Sequence, residues 1–252
     1  MNIRTYGTDE RLAFCREYLL CENIRSVRDI ILLPIPTSRD GVTVNKTGKT
    51  PEELFPLPNV SSAVVGYAIP PSFREWFSSV GMTVIDVSLD DVFVEENARL
   101  TADGTVGRIL TEQKAAPSEL SIGIIGYGRI GKRLLNLLSF MGARITLFTT
   151  RDTLRRELGM IGVYTESCRA LSDASRANEL SKLDVIINTA PASFMSEEVA
   201  SSLPATTVIE LASGNNFPKA ANAVHYASVP AAMYPKSAGK VLRDSVLRML
   251  GE

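Results

Sequence analysis

Ser121-Ile122-Gly123-Ile124-Ile125-Gly126-Tyr127-Gly128-Arg129-Ile130-Gly131, continued by Lys132-Arg133-Leu134-Leu135-Asn136-Leu137-Leu138, decides the fold. The apolar run from Ser121 to Gly126 reads as a buried strand. From Arg129 to Met141 the apolar residues Ile130, Leu134, Leu138 and Met141 recur at helical spacing, and Gly142 is placed to end the helix. Between strand and helix the residues 126–131 fit G-x-G-x-x-G, a pattern that gains meaning from this strand-to-helix context. In such a turn Gly126 permits the tight bend, Gly128 lets a pyrophosphate approach the backbone, and Gly131 lets helix and strand pack closely. The helix N-terminus offers unpaired N–H groups and partial positive charge to phosphates. Gly126, Tyr127, Gly128, Arg129, Ile130 and Gly131 are therefore candidate cofactor contacts. The alternative is a plain glycine turn with no ligand.

The next strand, Arg144 to Thr149, bears on which dinucleotide. An NAD site usually places Asp or Glu at the end of this strand, about 20 residues past the turn, to hold the ribose 2′-OH. This chain has Thr149-Thr150-Arg151 there. Two hydroxyls and a guanidinium suit a 2′-phosphate, so the expected cofactor is NADP(H), with NAD(H) as the alternative. Asp152 reads as a helix cap. Further on, Asn188-Thr189-Ala190-Pro191 and Ser213 close the fourth and fifth strands of this block, beside the switch point where a nicotinamide lies, and join the candidate contacts.

Outward from the turn, strands are expected at Gly162–Tyr164, Asp184–Thr189, Thr206–Leu211 and Val224–Ala227, with helices between them. Six strands with helical crossovers make a doubly wound parallel sheet. Before it, a second and smaller α/β block of Rossmann-like or flavodoxin-like type is expected, with strands Asn2–Tyr6, Asp29–Leu33, Ala63–Gly66 and Met82–Val87. One helix carries Leu12, Cys15 and Leu19 on a single face. Another, opened by Pro70 and Pro71 and ended by Gly81, carries Phe73, Trp76, Phe77 and Val80. From Thr37 to Pro58 the chain reads as a long polar loop, a kind that is usually functional or disordered. Ala102–Leu110 is expected as a helix capped by Thr101, with Asp103 near its positive end. The last helix, Lys236–Leu250, has Leu242, Val246 and Met249 on one stripe and is expected to fold back on the first block. The expected division is 1–96 with 236–252 in one domain and 97–235 in the nucleotide-binding domain.

The totals narrow the function classes. Lys and Arg number 27 against 28 Asp and Glu in 252 residues, without the basic excess that a nucleic-acid surface needs. No apolar run approaches the roughly 18 residues required for a bilayer span, and the start lacks an apolar signal segment. The three cysteines, Cys15, Cys21 and Cys168, form no C-x-x-C pair. Reduced thiols in a cytoplasmic protein, with neither a disulfide framework nor a metal site, are the expectation.

Several segments together resemble the dipicolinate synthase A-chain family, a relative of the D-2-hydroxyacid dehydrogenases. They are Thr101-Ala102-Asp103-Gly104-Thr105, the glycine turn, Ile187-Asn188-Thr189-Ala190-Pro191, Ile209-Glu210-Leu211-Ala212-Ser213 and Tyr234-Pro235-Lys236-Ser237-Ala238-Gly239. The resemblance is good from about Asn97 onward and patchy before. It implies an NADP-dependent oxidation of dihydrodipicolinate to dipicolinate in sporulating bacteria, alongside a flavoprotein-like B subunit. A homodimer is expected, as Rossmann relatives often pair.

The one histidine, His225, sits on a strand of the nucleotide sheet, whereas dehydrogenases with a His/Glu pair carry the His beyond it, near Pro230-Ala231. That pair is absent, and aromatisation to a pyridine needs only a modest base or water. A small dicarboxylate calls for cationic anchors. Lys236, with Ser237 beside it as a donor, is the first candidate, and Arg39 in the long loop the second. Asp103 is the candidate base, with a capping role equally open. Glu210, if buried, must be paired or protonated. The rival readings are a dehydrogenase or reductase of another small carboxylate, a non-catalytic NADP(H)-binding subunit or sensor, and an S-adenosylmethionine binder.

Overall fold

The computed structural model describes residues 1–55 and 62–252. The chain forms two compact units, Met1–Leu100 with Ser228–Glu252, and Thr101–Ala227.

In the first unit the strands β1 (Asn2–Thr5), β2 (Asp29–Leu32), β3 (Ser62–Gly66) and β4 (Thr83–Asp86) pair in parallel in the order β1-β2-β3-β4. Alternating residues of these strands feed two cores. Ile30, Leu32, Ala63, Val65 and Ile85 face the helix α1 (Glu10–Leu20) through Leu12, Cys15 and Leu19. Ile31, Val64 and Val84 meet Phe55, at the end of the short helix α2 (Pro51–Leu54), and Phe73 and Phe77 of α3 (Pro71–Ser79). The stretch expected as a loop is thus built into this core. Val44 is fully buried and bridges to Lys49, and Thr50 and Glu53 form a capping box at the start of α2. The signature Thr-x-x-Glu marks such a start. The end of the expected loop, with Pro56 and Pro58, lies outside the described residues.

The helix α4 (Asp91–Gln113) is one continuous element of 23 residues. Its start is capped by Asp90, whose carboxylate accepts the Val92 N–H at 3.1 Å. This corrects the expected start at Thr101. Thr101 is an interior residue, and Asp103 stands mid-helix, outside the reach of the dipole's positive end.

The second unit carries β5 (Ser121–Ile125), α5 (Arg129–Phe140), β6 (Arg144–Thr149), α6 (Asp152–Met160), β7 (Thr165–Ser167), α7 (Ala177–Leu180), β8 (Val185–Asn188), α8 (Glu197–Ser201), β9 (Thr207–Glu210) and β10 (Val224–His225). Its six strands among the described residues are parallel, in the order β10-β9-β8-β5-β6-β7. The order reverses between β5 and β8, the switch point of a doubly wound sheet. β7 begins at Thr165, correcting the expected strand at Gly162–Tyr164. Gly162 adopts φ +83° and belongs to the turn after α6.

The chain then returns to the first unit through α9 (Val229–Met233) and α10 (Pro235–Leu250). Leu242 and Val246 are buried against α1, and a Cβ at Gly239 would lie 2.6 Å from the Phe14 Cβ. Met249, expected on the same stripe, is 38 % exposed. Residues 228–235 lie with this unit, because Val229 and Pro230 are buried where α9 packs on α10 and α1.

Candidate dinucleotide site

The glycine turn lies at the C-terminal edge of β5, beside the switch point. Gly126 has φ +96°, a conformation that only glycine adopts without strain. At Gly131 a Cβ would stand 2.2 Å from the Gly126 carbonyl oxygen, so helix and turn touch backbone to backbone. Gly128 is different, because a Cβ there would meet nothing within 4 Å. Gly128 is also the N-cap of α5 and, as a glycine, brings no side-chain cap of its own. An open face at a helix N-terminus whose cap residue has no side chain is the arrangement that receives a phosphate.

A groove of about 440 Å³ runs along this edge. Gly126, Tyr127 and Gly128 form one side, Thr149, Thr150 and Arg151 another, and Thr189, Ala190 and Pro191 a third. Three segments far apart in sequence thus meet where the sequence placed a dinucleotide. Arg129, Ile130, Gly131, Asn188 and Ser213 are not in the lining. Ile130 is half-buried, Gly131 packs inward, and Ser213 stands in the turn after β9. Thr149 is buried, and its hydroxyl accepts the Arg151 N–H at 3.3 Å, whereas Thr150 and Arg151 are exposed.

Two lining residues, Cys168 and Phe194, were not among the expected contacts. Both follow strands of the same sheet, and position after a parallel strand was the available signal. Burial pushes the Cys168 thiol up to about 11, which keeps it protonated and unreactive at neutral pH.

Beneath the 189–191 wall lies a buried polar pair. Asn188 is 1 % exposed and Glu210 2 %. The Asn188 Nδ2 donates to Glu210 Oε1 at 3.0 Å and to the Ala190 carbonyl at 2.8 Å. The Ala190 N–H returns to Asn188 Oδ1 at 3.0 Å, and Ala212 N–H donates to Glu210 Oε1 at 2.9 Å. Glu210 is therefore buried and hydrogen-bonded. Asn188 acts on the groove through the Ala190 backbone that it holds.

The other expected site residues fall elsewhere. Asp103 lies on α4, 3.6 Å from the Arg133 guanidinium of α5. His225 is exposed on the edge strand β10. In the first unit, Lys236 and Ser237 stand on the opening turn of α10, with the Lys236 Nζ 5.9 Å from the centre of the Phe14 ring. No side chain caps that helix end. Arg39 lies in a loop folded around Asp40, which accepts the N–H groups of Val42 and Thr43 at 2.9 and 2.8 Å. No group of three or more potential metal ligands occurs among the described residues, and no described helix is long and apolar enough to cross a membrane.

No family model matches the chain. The dipicolinate synthase A chain of Bacillus subtilis (strain 168) is 24 % identical over 174 residues, which are 65 % of this chain and 56 % of that protein. The matched region is thus little more than half of the relative's length. The crystal structure of the dipicolinate synthase A chain from Bacillus halodurans has a TM-score of 0.76 at 20 % identity, covering 100 % of this chain and 98 % of that one. An L-alanine dehydrogenase has a TM-score of 0.61 at 13 % identity, over 99 % of this chain and 89 % of that one. The chain resembles the dipicolinate synthase A chain in sequence and fold, as its motifs led one to expect, and it shares its Rossmann-type α/β fold with dehydrogenases.

Proposed function

We propose that the chain is a cytoplasmic NADP-dependent oxidoreductase of dipicolinate-synthase type, which converts dihydrodipicolinate and NADP⁺ to dipicolinate, NADPH and a proton. The observation that carries this reading is the groove itself. It joins a glycine-capped helix N-terminus to a strand end that offers Thr150 and Arg151 and no carboxylate. The open space at Gly128 fits a pyrophosphate, and the exposed Arg151 fits a ribose phosphate. The cofactor, when bound, supplies the acceptor for a hydride. The chain's own groups do the rest. The first N–H groups of α5 hold phosphate oxygens. The Asn188–Glu210 pair fixes the Ala190 backbone in the groove wall. Lys236 and Ser237 anchor substrate carboxylates, aided by the positive end of α10. The C–H proton lost on aromatisation passes to water, since Asp103 is tied to Arg133. A homodimer and a flavoprotein-like B subunit complete the proposal.

The test combines titration calorimetry and turnover. Purified protein is expected to bind NADP(H) more tightly than NAD(H), and to reduce NADP⁺ with dihydrodipicolinate, on its own or with a B-type partner. The Thr150→Ala/Arg151→Ala double variant is expected to lose about 10- to 100-fold in NADP⁺ affinity, the worth of one or two charge-assisted hydrogen bonds. Unchanged affinity in that variant removes the cofactor assignment, and absence of nicotinamide reduction in every combination removes the reaction. The lack of a histidine among the described residues of the groove lining favours one second reading, a dinucleotide-binding protein without catalysis. Tight NADP(H) binding with no turnover on any carboxylate would single it out.

A further inference from the structure

The groove does not end at Thr150. A second cavity of about 710 Å³ opens beside it and shares Thr150, Cys168 and Phe194 with its lining. Its size suits a small-molecule site. Its remaining walls come from the first turns of α6, the turn after β7 and the segment after β8, and they are strongly donor-rich. Arg155 and Arg169 supply guanidinium groups, and Ser167, Ser172, Ser193 and Ser196 supply hydroxyls.

The one carboxylate in this lining is Asp152, and it is already neutralised. Arg155 Nη2 donates to Asp152 Oδ1 at 2.6 Å. That hydrogen bond and the Arg155 charge, with smaller help from Arg169 and Arg156, hold the Asp152 carboxyl below the usual carboxylate range. The Asp152–Arg155 pair therefore contributes no net charge, and Arg169, an exposed residue, is left as the surplus cation. Among the described residues the shielded Nε of Arg155 has no hydrogen-bond partner. A surplus guanidinium, a held guanidinium and a ring of hydroxyls form a receptor for a phosphomonoester dianion, since planar guanidinium groups match phosphate oxygens and hydroxyls complete their shell.

We propose that this cavity seats the adenosine end of a 2′-phosphorylated dinucleotide, and that Arg169 and Arg155, rather than Arg151 alone, discriminate between NADP(H) and NAD(H). The assignment rests on the dinucleotide reading of the adjoining groove and extends it to residues beyond the end of β6. Arg169 binds the phosphomonoester directly. Arg155 neutralises Asp152, so that the carboxylate does not repel the phosphomonoester.

Calorimetry on the full-length protein tests this with three probes, NADPH, NADH and adenosine 2′,5′-bisphosphate, on wild type, Arg169→Ala, Arg169→Lys and Arg155→Gln. The Arg169 side chain is exposed, so its variants are expected to keep the fold, checked by circular dichroism. Arg169→Ala should weaken NADPH and the bisphosphate about 10- to 100-fold and leave NADH within about 2-fold, as loss of one charge-assisted phosphate contact implies. Arg169→Lys should recover part of that loss, because the charge returns without the fork. Arg155→Gln should weaken NADPH and leave NADH unchanged. Equal loss for NADPH and NADH, or no loss for either, overturns the assignment. If wild type prefers NADH, the phosphomonoester seat is refuted while the dinucleotide groove stands. If wild type binds none of the three probes, the groove reading fails first and the cavity assignment with it.

Discussion

At the scale of single residues, Gly131 is where the turn is least tolerant of change. Its missing Cβ is replaced by the Gly126 carbonyl, 2.2 Å from where that atom would stand, with the Gly126 carbonyl carbon and Thr189 Oγ1 each 3.0 Å away. The nearest obstacle is backbone, so it cannot rotate aside. Alanine would gain up to about 1 kcal/mol of helix propensity. Forcing the helix off the turn costs about 1–3 kcal/mol, so the steric term is expected to win. Gly131→Ala is therefore expected to lower the thermal midpoint by several degrees, since about 1 kcal/mol shifts a chain of this size by roughly 2–4 °C. It should also weaken dinucleotide binding, because α5 moves with its N–H groups. Differential scanning calorimetry and the titration already described check both. A variant as stable as wild type would show that the close packing can relax. At Gly128, by contrast, a Cβ meets only open space. Alanine there should spare stability and reduce affinity, separating the packing glycine from the ligand-facing one.

At the scale of elements, β7 and α7 are joined by an ion-paired cluster. Glu166 Oε1 accepts the Arg176 Nη2 and the Tyr164 hydroxyl, each at 2.9 Å, and Arg176 also meets Glu179 at 2.6 Å. Burial acts to raise the Glu166 carboxyl, but the hydrogen bonds from Arg176 and Tyr164 outweigh it and hold the group below its ordinary range. A carboxyl depressed in the folded state adds stability above its unfolded value of about 4.3, and that stability disappears as pH falls through the folded value. Glu166→Gln is thus expected to cost about 0.5–1 kcal/mol at pH 7, the scale of a partly exposed pair. The gap from wild type should close below about pH 4. Urea unfolding at pH 7 and pH 3 measures it, and a gap of equal size at both values contradicts the assignment.

Elements also show what the sequence carried and what it did not. β5, the glycine turn and α5 were legible because periodicity, turn chemistry and context agreed on them. The start of α4 was not, because Thr101 is of a type that caps helices and only the structure shows the helix running through it from Asp91. The groove's outer lining at Cys168 and Phe194 was hidden for a related reason, since neither residue type announces a ligand. In the first unit the strands were legible, but the hand of their connections was not. α1 packs on the face of Ile30 and Leu32, and α3 on the face of Ile31. Both connect strands that step the same way across the sheet, so the two crossovers have opposite hands. Parallel crossovers are right-handed in about 98 % of cases, and no local pattern foretells the exception.

At the scale of the whole molecule, the first unit is closed by the end of the chain. Its sheet has α1 and α10 on one face, and Leu242 and Val246 of α10 are buried with Leu12, Cys15 and Leu19 of α1. The α1–α10 contact is the most extensive between any two described elements of this unit. Gly239 makes the approach possible, since a Cβ there would press on the Cys15 N and the Arg11 carbonyl at 2.9 and 3.0 Å as well as on Phe14. The second unit has a core of its own, drawn from Ile125, Phe148, Leu171, Ile186, Val199 and Val208 among others. Truncating Leu242, which is 1 % exposed, removes a buried side chain at the centre of the first core and leaves a cavity. Leu242→Ala is therefore expected to cost about 2–5 kcal/mol, the range for such truncations. Hydrogen exchange resolves where that cost falls. Amides of α1, α10 and β1–β3 should lose protection, whereas those of β5, β6 and β8, which draw on the other core, should keep theirs. Uniform loss of protection across both sheets would instead mean that the two units open as one cooperative body, and that the dinucleotide groove depends for its stability on a helix from the far end of the chain.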